Sequence, residues 1–148
     1  MWRIHQPFHD YYGAWRAMEE LYAERKIKAI GVDNFTQEKL ADFLFFNKVK
    51  PAVNMIECNA FYQRKEDWKY MQEQNIQMQA WSPLAAGAED LFTNPVLGEI
   101  AKKYGKFIEQ VVLRWLLQRG IVPVVKSANP VRMKQNIDIL TLNFQKRI

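Results

Sequence analysis

One cysteine, Cys58, is all the thiol chemistry these 148 residues hold. That excludes an intramolecular disulfide and any zinc site built on cysteines. Histidine is almost as scarce, with only His5 and His9. No histidine cluster or carboxylate pair has the spacing of a metal or acid–base centre, and Glu66, Asp67 and Asp90 read as solvated charges. No apolar run is long enough to span a bilayer and no stretch reads as a signal peptide, so the cytoplasm is the default expectation. The net charge is +5, yet Lys and Arg are scattered among 16 acidic residues. With no basic run and no aromatic RNA-binding signature, nucleic acid is not the expected partner.

What is present suits a globular chain: 49% hydrophobic and 25% charged, long enough for one domain with a sizeable core. Short apolar runs alternate with helical patterns. The runs are Met1 to His5 (stopped by Pro7), Ile27 to Val32, Ala52 to Ile56, Ile76 to Trp81, and a β-branched run from Val122 that suits a buried strand. Gly31 is placed to let another backbone approach closely. After a turn at Asp10 to Gly13, a helix to about Glu24 shows Trp15, Met18, Leu21 and Tyr22 on one face. Thr36 caps a second helix to about Asn47, with Leu40, Phe43, Leu44 and Phe46 apolar. Lys65 to Asn75 is a third, presenting Trp68 and Met71. Asp90 to Asn94 reads as a turn. Pro95 to Tyr104 and Phe107 to Arg119 are further helices, the latter ending on Gly120 with Val111, Val112, Trp115 and Leu116 inward. A last helix runs to about Leu140. The final eight residues, from Thr141, lack a pattern and are expected to fray.

Regular β-α alternation predicts an α/β fold with a parallel sheet covered by helices. Polar residues gather at or just past the strand ends: His5, Asp33-Asn34, Asn54 and Glu57, Ser82, and Lys126-Ser127. In a (β/α)8 barrel that is the active-site face. The stretch VPVVKSANPVRMKQN carries the clearest chemistry. A strand runs into Lys126 and Ser127, and Asn129-Pro130 opens a helix. Free N–H groups and the helix dipole at such a junction suit an anion, and Arg132 in the first turn favours one nearby. The plainer reading is a βα unit with a basic surface. Likewise, a lone His at a strand end is more often a hydrogen-bonded structural residue than a catalyst. His9 reads as a solvated loop residue and Trp81, by default, as a core aromatic.

Seven ordered pieces weigh against the plain readings: IHQPF, YYGAWRAMEELYAERKIKAIGVDNF, VNMIECNAFYQ, WSPLAAGAEDLFTNPVL, IAKKYGK, QVVLRWLLQRGIV and VKSANPVRMKQN. From His5 to Asn136 the chain resembles the second half of an aldo-keto reductase, closest to the bacterial diketogulonate-reductase-like group. The resemblance implies the C-terminal part, about strands 4 to 8, of a (β/α)8 TIM barrel, with residues 1–148 forming a partial NADP-dependent oxidoreductase domain. It also implies roles by position. His5 matches the catalytic His that orients and polarises the substrate carbonyl; Gln6 stands where the family has Trp. Asp33 and Asn34 match a Ser-Asn or Cys-Asn pair that holds the nicotinamide amide, and Met55 replaces a Gln that contacts the same amide. Trp81 matches the aromatic stacked on the nicotinamide. Ser82, Pro83 and Leu84 match the segment along the pyrophosphate. Lys126, Ser127, Arg132, Gln135 and Asn136 match the site for the 2′-phosphate and adenine of NADPH, with Val125 for a Pro and Gln135 for a Glu.

The family reduces carbonyls by hydride from NADPH, with Tyr as general acid helped by Lys, Asp and His. The Asp, Tyr and Lys come from the barrel's first half, and nothing here matches them; the Tyr11-Tyr12 pair belongs to the loop after His5. A full barrel takes roughly 250 residues and eight strands. Two classes of function follow: a carbonyl reductase that works once the missing half is supplied, or a non-catalytic fragment that binds nucleotide or protein. The strands at Ile4 and Val124 are expected as open edges, with Ile30, Val53 and Val124 lacking an opposite wall. That arrangement points to a homo-oligomer or to a separate first-half polypeptide as partner.

Overall fold

The computed structural model describes residues 1–144. Its elements run β1 (Trp2–Ile4), α1 (Tyr11–Ala23), β2 (Ile30–Asp33), α2 (Gln37–Phe46), β3 (Val53–Glu57), α3 (Lys65–Glu73), β4 (Gln77–Trp81), α4 (Glu89–Phe92), α5 (Pro95–Tyr104), α6 (Ile108–Gln118), β5 (Val122–Pro123) and α7 (Pro130–Ile137). The strands follow chain order in one five-stranded sheet, and β1–β2 and β2–β3 pair parallel. The expected alternation is present. Two expected turns are helical instead. Asp10 is the N-cap of α1, its carboxylate accepting from the Gly13 N–H at 2.7 Å, and Asp90 lies inside α4. The chain divides into two compact units, Met1–Ile56 with Arg64–Gln79, and Glu57–Gln63 with the chain from Ala80 onward.

In the first unit the caps come from short polar side chains. Thr36 Oγ1 accepts from the Lys39 N–H at 3.4 Å and starts α2. One face of the strands packs on aromatic rings. Asn54 Nδ2 donates to the Phe35 carbonyl at 2.9 Å, fixing Phe35 beneath the sheet. Phe43 lies 5.1 Å from Phe35 and 5.0 Å from Trp15, both near edge-on, the geometry that ring quadrupoles prefer. Tyr11 closes the group edge-on to Phe35. The stripe is narrower than its spacing suggests: Leu44 is half-buried, while Tyr22 and Phe46 are exposed.

The other face carries Arg3, Gly31, Asp33, Val53, Met55 and Gln79, as the register Arg3↔Gly31 and Asp33↔Met55 requires. Ile30 belongs to the aromatic side, because successive side chains of a strand point oppositely. Its expected lack of a wall is therefore wrong, and it is 1% exposed. Val53 is buried too, its methyl occupying the space left by the missing side chain at Gly31. A Cβ at Gly31 would fall 2.7 Å from a Val53 methyl and 3.4 Å from Arg3 Cγ. Close approach of the neighbouring strand is the reason for glycine at this position, as the sequence suggests.

The second unit packs α5 against α6. Ala101, Val111, Leu142 and Phe144 form its core, with Leu97, Ile100, Tyr104, Ile108 and Trp115 around it. The expected fraying from Thr141 is overturned as far as Phe144. That residue stacks edge-on to Tyr104, and its N–H donates to Gln118 Oε1 at 3.0 Å. Residues 145–148, the rest of that expectation, lie outside the described residues. Asn94 caps α5 with Pro95 next, and Gly105 and Gly120 end α5 and α6 at positive φ. The Val122 run is not a buried strand. It holds two strand residues, tied to β4 by Val124 N–H donating to the Ala80 carbonyl at 2.9 Å, and Val122, Val124 and Val125 are 36–44% exposed. It is the last strand in the order and walls a cavity instead of a core. No described helix is long and apolar enough to cross a membrane.

Phe43→Ala removes the ring that joins α1, α2 and Phe35, and should cost about 3–5 kcal/mol in urea unfolding. Phe45→Ala, one ring away in composition but 83% exposed, should stay within about 0.5 kcal/mol. Equal costs would show that the aromatic group does not carry this unit's core.

Candidate functional site

The second unit holds a cavity of about 650 Å³. Its walls include Ser82, Pro83 and Leu84 from the loop after β4, Lys126 and Ser127 after β5, and Arg132, Gln135 and Asn136 from α7. Eight of the nine sequence-predicted residues of this unit meet there. Trp81, half-buried at the end of β4, does not line it. Neither Lys126 nor Arg132 pairs with a carboxylate among the described residues. With Glu109 also on the wall, the ionic lining is two cations and one carboxylate, a net positive concave site that suits an anion held by charge-assisted hydrogen bonds.

The means differ from expectation in one respect. The first-turn N–H groups of α7 are not free. Asn129 Oδ1 accepts from Val131 at 2.9 Å and Arg132 at 3.3 Å, Ser127 Oγ accepts from Asn129 at 3.1 Å, and Met133 bonds the Asn129 carbonyl. The cap that stabilises the helix uses up the donors that would have held an anion. What remains is side-chain charge, reinforced by the helix dipole.

Several lining residues have no signal in the motif: Phe92, Phe107, Glu109, Gln110 and the backbone at Ala86 and Gly87. Gln110 was findable, because a polar residue sits among the apolar positions of QVVL. It is 2% exposed. Its Oε1 accepts from the Phe107 N–H at 3.1 Å, and its Nε2 donates to the Gln135 carbonyl at 3.1 Å and the Asp138 carbonyl at 2.9 Å. It thereby sets α7, and with it Arg132, against α6. Lys106 adds an ion pair to Asp138 at 2.6 Å and holds that carboxyl below the usual range.

The first unit brings together the other predicted residues, His5, Asp33, Asn34 and Met55, around Arg3. Asp33 is 2% exposed. His5 Nδ1 lies 3.4 Å from its Oδ2, and Arg3 Nε lies 3.4 Å from its Oδ1. Burial pushes the Asp33 carboxyl above its ordinary range, while the hydrogen bond to His5 and the charge of Arg3 pull it back. Asn34, at φ 62°, donates from Nδ2 to the His5 carbonyl at 3.0 Å. Arg3 Nη1 donates to Gln79 Oε1 at 2.9 Å and meets Met55 Sδ at 3.3 Å. Thus Met55 is engaged within its own sheet. His9 is exposed, consistent with a solvated loop.

Comparison with known proteins identifies the family. The Aldo/keto reductase family matches residues 1–147, and the chain belongs to that family. It is 44% identical over 140 residues to the uncharacterised oxidoreductase YtbE of Bacillus subtilis, covering 94% of this chain and 49% of that protein. It is 44% identical over 147 residues to the glyoxal reductase of the same organism, covering 99% and 52%. Among solved structures, an aldo-keto reductase from a Medee basin deep-sea metagenome library superposes with a TM-score of 0.92 at 38% identity, covering 97% of this chain and 54% of that one. A Bombyx mori aldo-keto reductase in complex with NADP gives 0.88 at 27% identity, covering 97% and 52%. The chain spans about half the length of the relatives it matches. Its fold is the matching part of their (β/α)8 barrel.

Asp33 gives a pH test. Its folded carboxyl releases its proton at higher pH than an unfolded one, so the folded state binds that proton more firmly. Its contribution is then greatest at acid pH and declines as pH rises through its folded range. The stability of the protein minus that of Asp33→Asn, from urea unfolding between about pH 4 and pH 7, should move against the unmodified chain with rising pH. A difference that grows in its favour would mean that Arg3 and His5 outweigh burial.

Proposed function

We propose that residues 1–148 are the C-terminal part of an aldo-keto reductase of the diketogulonate-reductase-like group, serving NADPH-dependent reduction of aldehydes and ketones to alcohols. The observation that carries this is the pair of cations, Lys126 and Arg132, neither in an ion pair among the described residues, beside Ser127 in the second unit's cavity. An anion with two negative charges on a compact group, such as a 2′-phosphate, matches that pair and the hydroxyl. Gln135 and Asn136 are then the contacts to adenine, and Ser82, Pro83 and Leu84 those along the pyrophosphate. Trp81 is assigned to the nicotinamide, with Asp33, Asn34 and Met55 at its amide, and His5 to the substrate carbonyl. NADPH, when bound, supplies the hydride; these side chains bind and orient. The cytoplasm is the proposed location.

The family's Tyr, Lys and Asp have no counterpart in these 148 residues. Turnover therefore needs those groups from further polypeptide, and the outer strands β1 and β5 pair either with a second copy or with a separate first-half chain. A nucleotide- or protein-binding module without catalysis is the competing reading, and activity separates the two.

Calorimetric titration should show NADP binding more tightly than NAD. Each charge-assisted contact is worth roughly 1.5–3 kcal/mol, so Arg132→Ala should weaken NADP by about 10-fold or more and leave NAD little changed. Equal affinity for the two nucleotides would remove the phosphate site.

This polypeptide alone should not reduce a reactive aldehyde with NADPH, because positioned general-acid catalysis by itself contributes about 10²–10⁴ in rate. Turnover near about 1 per second, within the ordinary range for enzymes, would overturn the requirement for a second half. Adding a first-half polypeptide should restore it.

A further inference from the structure

The end of β2 is turned toward His5. Asp33 and Asn34, adjacent in sequence, both hold it: Asn34 Nδ2 bonds the His5 carbonyl at 3.0 Å, and Asp33 Oδ2 faces the ring at Nδ1, 3.4 Å away. The two act from one strand end because Asn34 takes a left-handed backbone, φ 62°, which Asn tolerates better than most residues. A residue next to another in an extended strand would point to the opposite face. Asp33 is itself braced: its other oxygen lies 3.4 Å from Arg3 Nε, and Arg3 is anchored on Gln79. The imidazole is 80% exposed, so the side away from Asp33 faces outward.

We infer that Asp33 and Asn34 form a clamp that fixes neutral His5 as its Nδ1–H tautomer and presents Nε2 outward as a hydrogen-bond acceptor. An ionised carboxylate offers only acceptors, so the ring nitrogen facing it must carry the proton. In a neutral imidazole the second nitrogen then carries the lone pair. Asp33 is a positioning residue here, acting through His5. If His5 faces substrate, as the proposed function holds, the consequence for ligand class is direct. Neutral His5 accepts from a hydroxyl, the alcohol member of the redox pair. A carbonyl oxygen finds a donor there only when the ring is protonated.

Nitrogen-15 spectra of the ring, recorded on this chain without nucleotide at about pH 8.5, above the ordinary imidazole titration range, read the tautomer directly. His5 should show a pyrrole-type Nδ1 and a pyridine-type Nε2. Exposed His9 is the internal reference and should favour the reverse. In Asp33→Ser, whose side chain is too short to reach, His5 should revert to the His9 pattern. A His5 already in the Nε2–H form in the unmodified chain overturns the inference, whatever the variant does. So does a folded Asp33→Ser that keeps Nδ1–H. Because no cofactor is present, failure of NADP to bind leaves this test unaffected, and a wrong tautomer leaves the phosphate site untouched.

Discussion

Parallel pairing is the constraint on which the rest depends. Parallel strands need a crossover, here a helix, between one and the next, and every strand then delivers its C-terminal residues in the same sense. In the first unit that brings His5 and Asp33-Asn34 to neighbouring strand ends. In the second it sets the Ser82–Leu84 loop beside Lys126 and Ser127. Neither group is close in sequence; each is assembled by register.

The same register explains how this chain keeps a buried carboxylate at Asp33. Asp33 lies on the polar face and is nearly fully buried, a position that ordinarily costs several kcal/mol unless the charge is paired. Arg3 lies opposite Gly31, where the missing Cβ leaves room for its stem, and it reaches Asp33, Gln79 and Met55. The result is a polar brace across β1, β2, β3 and β4 within one unit. It is also why Met55, an apparent lost contact in sequence, is an engaged side chain in the fold.

Much of this was legible in advance where a local rule decides. Asn129 at the cap, Pro130 at the first position, the Thr36 cap and Gly31 at a close approach all depend on a few neighbouring residues, and the family motifs name eight of the residues that line the second unit's cavity, but not Phe92, Phe107, Glu109 or Gln110. The failures are non-local. Nothing in VPVV says that Val124 and Val125 wall a cavity. Nothing in the tail says that Phe144 will find Tyr104. The face of Ile30 depends on strand phase, and one residue of error reverses it. The sequence at α7 does not tell an efficient cap from an open anion site, because both draw on the same N–H donors. Arg3 carried no motif, and its role appears only once Asp33 and Gln79 are beside it.

The central claim is that the second unit by itself carries a site for a phosphate on the 2′ position of adenosine. Amide chemical-shift mapping with adenosine 2′-monophosphate, and with adenosine 5′-monophosphate as control, tests it most directly. The account predicts saturable shifts at Lys126, Ser127, Arg132, Gln135 and Asn136 with the 2′ isomer, weak or absent with the 5′ isomer, and no change at Ile30 to Asn34. Shifts of equal size with both isomers, or shifts centred away from α7, would contradict it.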